Sequence, residues 1–136
     1  MDLLNQQTIR PPRLKPGDTI GVVAPAGPFD PKIFAQGLST VESMGFRTRV
    51  SDEIFEKTGY LAGNDAHRAR LVNRLFKDPA INAIVCARGG FGSLRILPLV
   101  YFDVIRENPK VFIGFIDNTA LLTEITNRSG LVSFHG

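Results

Sequence analysis

Cysteine occurs once in this chain, at Cys86, and histidine only at His67 and His135, which removes several chemistries at the outset. One thiol cannot close an intrachain disulfide, so the chain reads as one made for a reducing compartment. Cys86 ends an apolar run, where a small buried residue is the simplest reading. Neither histidine has a cysteine, carboxylate or second histidine at metal-ligand spacing, so no metal is expected. His67, in the first turn of a predicted helix, is expected to be solvated. Long apolar runs are also missing. Nothing approaches the roughly 20 residues that span a bilayer, and the opening MDLLNQQTIRPP has neither the basic nor the apolar region of a secretory signal. The expectation is a soluble, cytoplasmic chain with no membrane partner. Its net charge of +3 comes from scattered lysines and arginines. No basic run alternates with aromatics, which argues against nucleic acid but leaves room for an anionic small substrate.

What is present fits one α/β domain of 136 residues. Residues 1–18 read as an extended lead-in, and 19–136 as the domain. Thr19–Ala24 is an apolar strand, of the kind covered on both faces. Asp30 and Pro31 open a helix to Met44 whose stripe is Phe34, Leu38 and Val41, and Gly45 stops it. Phe46–Val50 alternates as a short strand. A loop over 51–63 leads to Asn64, the cap of a second helix with the stripe Leu71, Val72, Leu75 and Phe76. Ile81–Ala87 and Val111–Phe115 are further strands. Short helical pieces are expected over 93–100 and 103–107, a helix from Asn118 to Arg128, and a last strand from Leu131. Strands alternating with helices imply right-handed crossovers and a mainly parallel sheet with helices on both faces, a flavodoxin-like or Rossmann-like three-layer arrangement.

Ligands of such sheets bind at the carboxyl ends of the strands. Loops 25–28, 88–92 and 115–119 lie at that edge. The loop Arg88-Gly89-Gly90-Phe91-Gly92 has neither a GxGxxG pattern nor a P-loop Lys-Ser/Thr pair, so no nucleotide cofactor is expected. Its glycines serve either a tight turn or the close approach of backbone N–H groups to a substrate carbonyl, an oxyanion hole. In the second case Arg88 is placed to pair with a substrate carboxylate. The turn Gly114-Phe115-Ile116-Asp117-Asn118-Thr119 has the strand-to-helix context of a nucleophile elbow without its G-x-S-x-G letters. At its apex stands Ile116, which can neither attack a carbonyl nor accept a proton. Asp117 and Asn118 are most simply N-cap candidates.

The stretches LKPGDTIGVVAPAGP (14–28), GYLAGND (59–65), INAIVCARGGFGSLRILP (81–98), NPKVFIGF (108–115) and GLVSFHG (130–136) together resemble the LD-carboxypeptidases. This serine-peptidase family, also called muramoyl-tetrapeptide carboxypeptidases, includes microcin C self-immunity proteins. The resemblance implies a two-domain hydrolase with a Ser-His-Glu triad that releases a terminal D-amino acid, typically D-alanine from the murein tetrapeptide in wall recycling. The family's serine maps to Ile116, its oxyanion donors to backbone N–H groups at Gly89, Gly90 and Asp117, and its arginine before the double glycine to Arg88. The glutamate and histidine belong to a second domain that this sequence lacks. Two departures therefore predict a chain that is inactive alone. Loss of a triad nucleophile typically costs on the order of a millionfold in turnover, and without a base no serine would be activated. The alternative is a non-catalytic module that binds a murein-derived L,D-peptide or serves assembly. Apolar surface around 88–136 would then be covered by a homodimer or by the missing domain. An elbow apex often has φ above zero, which for isoleucine is strained by roughly 1–3 kcal/mol.

Overall fold

A computed structural model describes residues 7–59, 61–88, 92–114 and 118–135. Five strands, β1 (Thr19–Val23), β2 (Arg47–Arg49), β3 (Ala83–Cys86), β4 (Val111–Gly114) and β5 (Phe134–His135), form one sheet in the order β2-β1-β3-β4-β5. Every pairing is parallel. The helices are α1 (Pro31–Ser43), α2 (Asp65–Lys77), α3 (Ser93–Ile96), α4 (Phe102–Glu107) and α5 (Thr119–Ser129), with 3-10 turns at Asp52–Phe55 and Leu97–Leu99. The flavodoxin-like order and the parallel α/β class agree with the sequence reading.

Side-chain alternation shows which helix covers which face. A Cβ added at Gly21 would meet Leu75 of α2 at 2.9 Å, so the odd positions of β1 face α2. Ile20 and Val22 point the other way and line a cavity beneath α1. Register carries the same alternation into β3 and β4, placing Ile84, Cys86 and Phe112 on the α2 face. There Phe76 of α2 stacks on Phe112, with ring centroids 5.6 Å apart. Helices α4 and α5 complete this side of the core through Ile105, Leu121 and Ile125.

Local chemistry sets most boundaries. Asp30 accepts the Lys32 N–H at 2.8 Å and Pro31 occupies the first position of α1. Asn64 accepts the His67 N–H at 2.8 Å at the start of α2. Gly45 and Gly130 follow α1 and α5 with φ of 96° and 80°, the left-handed conformation that stops a helix. The strands at 47–49 and 83–86 are shorter than the segments that suggested them, Phe46–Val50 and Ile81–Ala87. The expected strand from Leu131 begins instead as a bridge between Leu131 and Ile9 of the lead-in, and regular pairing starts only at Phe134.

His67 departs from its expected solvation. It is 8% exposed, and its Nε2 lies 2.7 Å from the Glu53 carbonyl oxygen. The 3-10 turn at Asp52–Phe55 folds the preceding loop back over the first turn of α2, which the polar composition of that loop concealed.

Candidate functional site

Strand order reverses direction between β1 and β3, so the loops leaving these two strands diverge around a crevice at the carboxyl edge. Loop 25–28 forms one bank and Arg88 the other. Arg88 reaches across, its guanidinium donating to the Pro28 carbonyl at 2.8 Å. The side chain remains solvent-exposed, so the group that holds this contact is also accessible to an anion. The predicted oxyanion donors Gly89 and Gly90, and the apex residues Ile116 and Asp117, lie outside the described residues, as does the expectation of strain at Ile116.

Asn118 connects the β3 and β4 loops. It stands at the N-cap position of α5 yet makes no side-chain cap bond. Its Nδ2 instead donates to the Arg88 carbonyl at 3.0 Å. The residue is fully buried, and its Oδ1 has no hydrogen-bond partner among the described residues. An acceptor left without a partner on burial costs about 1–3 kcal/mol. The N-cap reading of Asn118 thus holds for its position but not for its side chain. Gly114 explains why the amide fits: a Cβ there would come within 3.3 Å of the Asn118 Cβ and 3.1 Å of the Cys86 sulfur.

Arg68 was not singled out by its sequence, and it organises the same edge. It is fully buried. Its Nε donates to the Gly63 carbonyl at 3.1 Å, and one terminal nitrogen donates to Pro25 O at 2.6 Å and Gly92 O at 2.8 Å. The other terminal nitrogen pairs with Asp65, whose second oxygen lies 3.2 Å from Arg95. The available signal was an aspartate and an arginine at i, i+3 in the first turn of a helix, which ordinarily marks a solvated pair.

Cys86 lies beneath the crevice with its thiol pKa pushed well up by burial, which makes it a poor nucleophile. Among the described residues no cluster of His, Cys, Asp or Glu has the makings of a metal site. Among them also, no helix is long and apolar enough to cross a membrane. A cavity of about 620 Å³ opens between α1 and the sheet, with Arg88 on its rim. Its walls are mostly aliphatic and aromatic, including Ile20, Val22, Phe34 and Val85, so it offers volume but few polar groups to orient a reacting bond.

Residues 20–136 match the family model described as the LD-carboxypeptidase N-terminal domain. The probable murein peptide carboxypeptidase of Bacillus subtilis (strain 168) is 42% identical over 127 residues, covering 93% of this chain and 40% of that protein. A crystal structure of an MccF-like protein from Bacillus anthracis (strain Ames) superposes with a TM-score of 0.91 at 30% identity, covering 95% of this chain and 40% of the other. The microcin C7 self-immunity protein MccF in complex with aspartyl sulfamoyl adenosine gives 0.87 at 31% identity, covering 92% and 38%. The chain thus spans about two-fifths of the length of these relatives.

Proposed function

The chain belongs to the LD-carboxypeptidase family, and from that premise we propose that it forms the substrate-carboxylate side of that fold while performing no hydrolysis itself. The observation that carries the reading is isoleucine at position 116, the position to which the resemblance assigns the family's serine. An aliphatic side chain has no lone pair to add to a peptide carbonyl and no proton to exchange with a base. The resemblance assigns the family's glutamate and histidine to a second domain, outside the N-terminal domain matched here. The other elements of an acyl-transfer site are represented by residue type. Arg88 is an exposed guanidinium at the crevice, suited to the carboxylate of a murein-derived L,D-peptide. Backbone N–H groups of Gly89, Gly90 and Asp117 are the proposed donors to the peptide carbonyl oxygen. The ligand named for MccF, aspartyl sulfamoyl adenosine, is likewise built on an amino acid, which supports an amino-acyl ligand here. Terminal D-alanine of the murein tetrapeptide is the substrate group the family reading favours, and the cytoplasm the compartment.

Calorimetric titration with L-Ala-D-Glu-diaminopimelate-D-Ala, alongside chromatographic assay of released D-alanine, tests this. Saturable heat without D-alanine above background is the expected result. Arg88→Met should weaken binding about 10- to 100-fold, the worth of one charge-assisted pair. Release of D-alanine by the unmodified chain would overturn the inactive reading, and absence of heat at millimolar peptide would overturn the binding one.

A further inference from the structure

We infer that Arg68 is the positioning residue of the candidate site: one buried guanidinium holds the loops of the carboxyl edge as a single unit. Calling this edge a substrate site rests on the proposed function; the mechanical role of Arg68 does not.

Three backbone carbonyls from three separate segments converge on this side chain. Pro25 follows β1, Gly63 precedes α2, and Gly92 closes the glycine-rich loop after β3. A guanidinium presents five N–H donors in a fixed plane, and its spread lets one residue reach carbonyls that lie on different sides of it. A lysine ammonium has three donors on one atom and cannot span the same set. Asp65 compensates the buried charge, without which burial of a cation would cost several kcal/mol.

The backbone around Arg68 is shaped to admit it. Gly92 has φ of 106°, and a Cβ there would come within 2.4 Å of Leu61 and 3.2 Å of the Arg68 terminal nitrogen. Gly63 has φ of 95°, and a Cβ there would strike the His67 ring at 2.3 Å. Both carbonyl-bearing glycines therefore bring backbone closer to α2 than any other residue could. The loops also bond to one another, since the Ala62 N–H donates to Ala26 O at 2.9 Å. Asn118 holds the Arg88 carbonyl at one end of the glycine-rich loop, and Arg68 holds the Gly92 carbonyl at the other.

Amide hydrogen exchange in the full chain separates positioning from general stability. The reporters are the Ala62 N–H, bonded to Ala26 O, and the Arg95 N–H, bonded to Gly92 O; the control is the Ile105 N–H in α4. In Arg68→Lys, which keeps the charge beside Asp65, both reporters should exchange about tenfold faster relative to the control. Asp65→Asn, which leaves the three carbonyl bonds in place, should move them much less. A uniform acceleration of reporters and control, or none, would reduce Arg68 to a stability residue and overturn the inference. Should Arg68→Lys fail to fold, the unmodified protein decides. The Arg68 Nε–H should exchange at least about tenfold more slowly than that of Arg70, which is 57% exposed. Equal rates would refute the clamp. The peptide titration above fails separately: no heat with protected reporters removes the substrate reading and leaves the clamp standing.

Discussion

On the α2 side of the sheet Ile84 and Phe112 are fully buried beneath Phe76, Ile105 and Leu121, whereas on the α1 side Val85, Val111 and Ile113 remain partly exposed. These residues alternate along the same two strands, so neither composition nor strand propensity separates the faces. The difference lies in what covers them. Helices α2, α4 and α5 pack on one face. On the other, α1 has no buried residue, and a cavity remains between it and the sheet. The rings of Phe29, Phe34 and Phe55 meet at the N-terminal end of α1, with centroids 4.6 to 5.8 Å apart. One face is thus a finished core, and the other is an apolar surface only partly roofed.

The contrast is broken most forcefully at Phe112. Phe112→Ala should cost about 3–5 kcal/mol, since it removes a fully enclosed ring and its stack on Phe76. Its neighbour Ile113 faces the other way, and Ile113→Ala should cost less than about 2 kcal/mol. Urea unfolding of the two variants gives the comparison directly. Equal losses would show that the α1 face is as well packed as the other.

A pH profile sharpens the same point at the base of the buried face. Lys110 is 5% exposed, and its ammonium donates to Leu75 O at 2.8 Å and to Asp78 O, closing the C-terminal end of α2. Burial lowers its pKa to about 8, opposed by the attraction of Asp78. The unfolded chain keeps this proton up to about pH 10.4. Between these values the unfolded state binds more protons than the folded one, so stability should rise with pH from about 8 to 10. Below pH 8 both states are protonated and this site contributes no slope. The gain should be about 1–3 kcal/mol. Thermal melts of the chain and of Lys110→Met across this range measure it, and parallel profiles would refute it.

Much of this asymmetry was hidden from the sequence, for a physical reason. Strands such as Val111–Gly114 are apolar at every position because both faces of a parallel sheet are meant to be covered. That pattern predicted the α/β class and the parallel sheet well. It carries no information on how completely each face is roofed. Caps were legible where a short polar side chain meets a helix start, as at Asp30 and Asn64. Asn118 has the same letters in the same context but turns its amide to the Arg88 carbonyl, a partner 30 residues away. Arg68 and His67 look solvated because α2 opens with four polar or charged residues among its first six. Loops 51–58 and 61–64 fold back over them, and Pro25 and Gly92 close over Arg68. Long-range partners of polar side chains, rather than apolar periodicity, were what the sequence concealed.

At the aromatic anchor of α1 the expected effect is smaller and local. Phe34→Ala removes two of the three ring contacts from a half-buried position and should cost about 1–2 kcal/mol. Because α1 buries no residue, the loss should appear as faster amide exchange within 34–43 and not in α2. Acceleration spread evenly over both helices would mean that α1 is an integral part of the cooperative core.

The smallest change should run in the opposite direction. Gly37 lies in the middle of α1, and a Cβ added there would meet nothing within 4 Å. A glycine inside a helix leaves the unfolded chain excess freedom, and in a packed helix it usually admits a neighbour that alanine would displace. No such neighbour exists on this face. Gly37→Ala should therefore stabilise the protein, by at most about 1 kcal/mol. The gain should be realised fully only if α1 folds together with the rest of the molecule. If α1 instead detaches before global unfolding, its own amides should slow while the global midpoint stays fixed. Exchange and denaturation on this one variant thus report whether the loosely roofed face belongs to the same folding unit as the finished one.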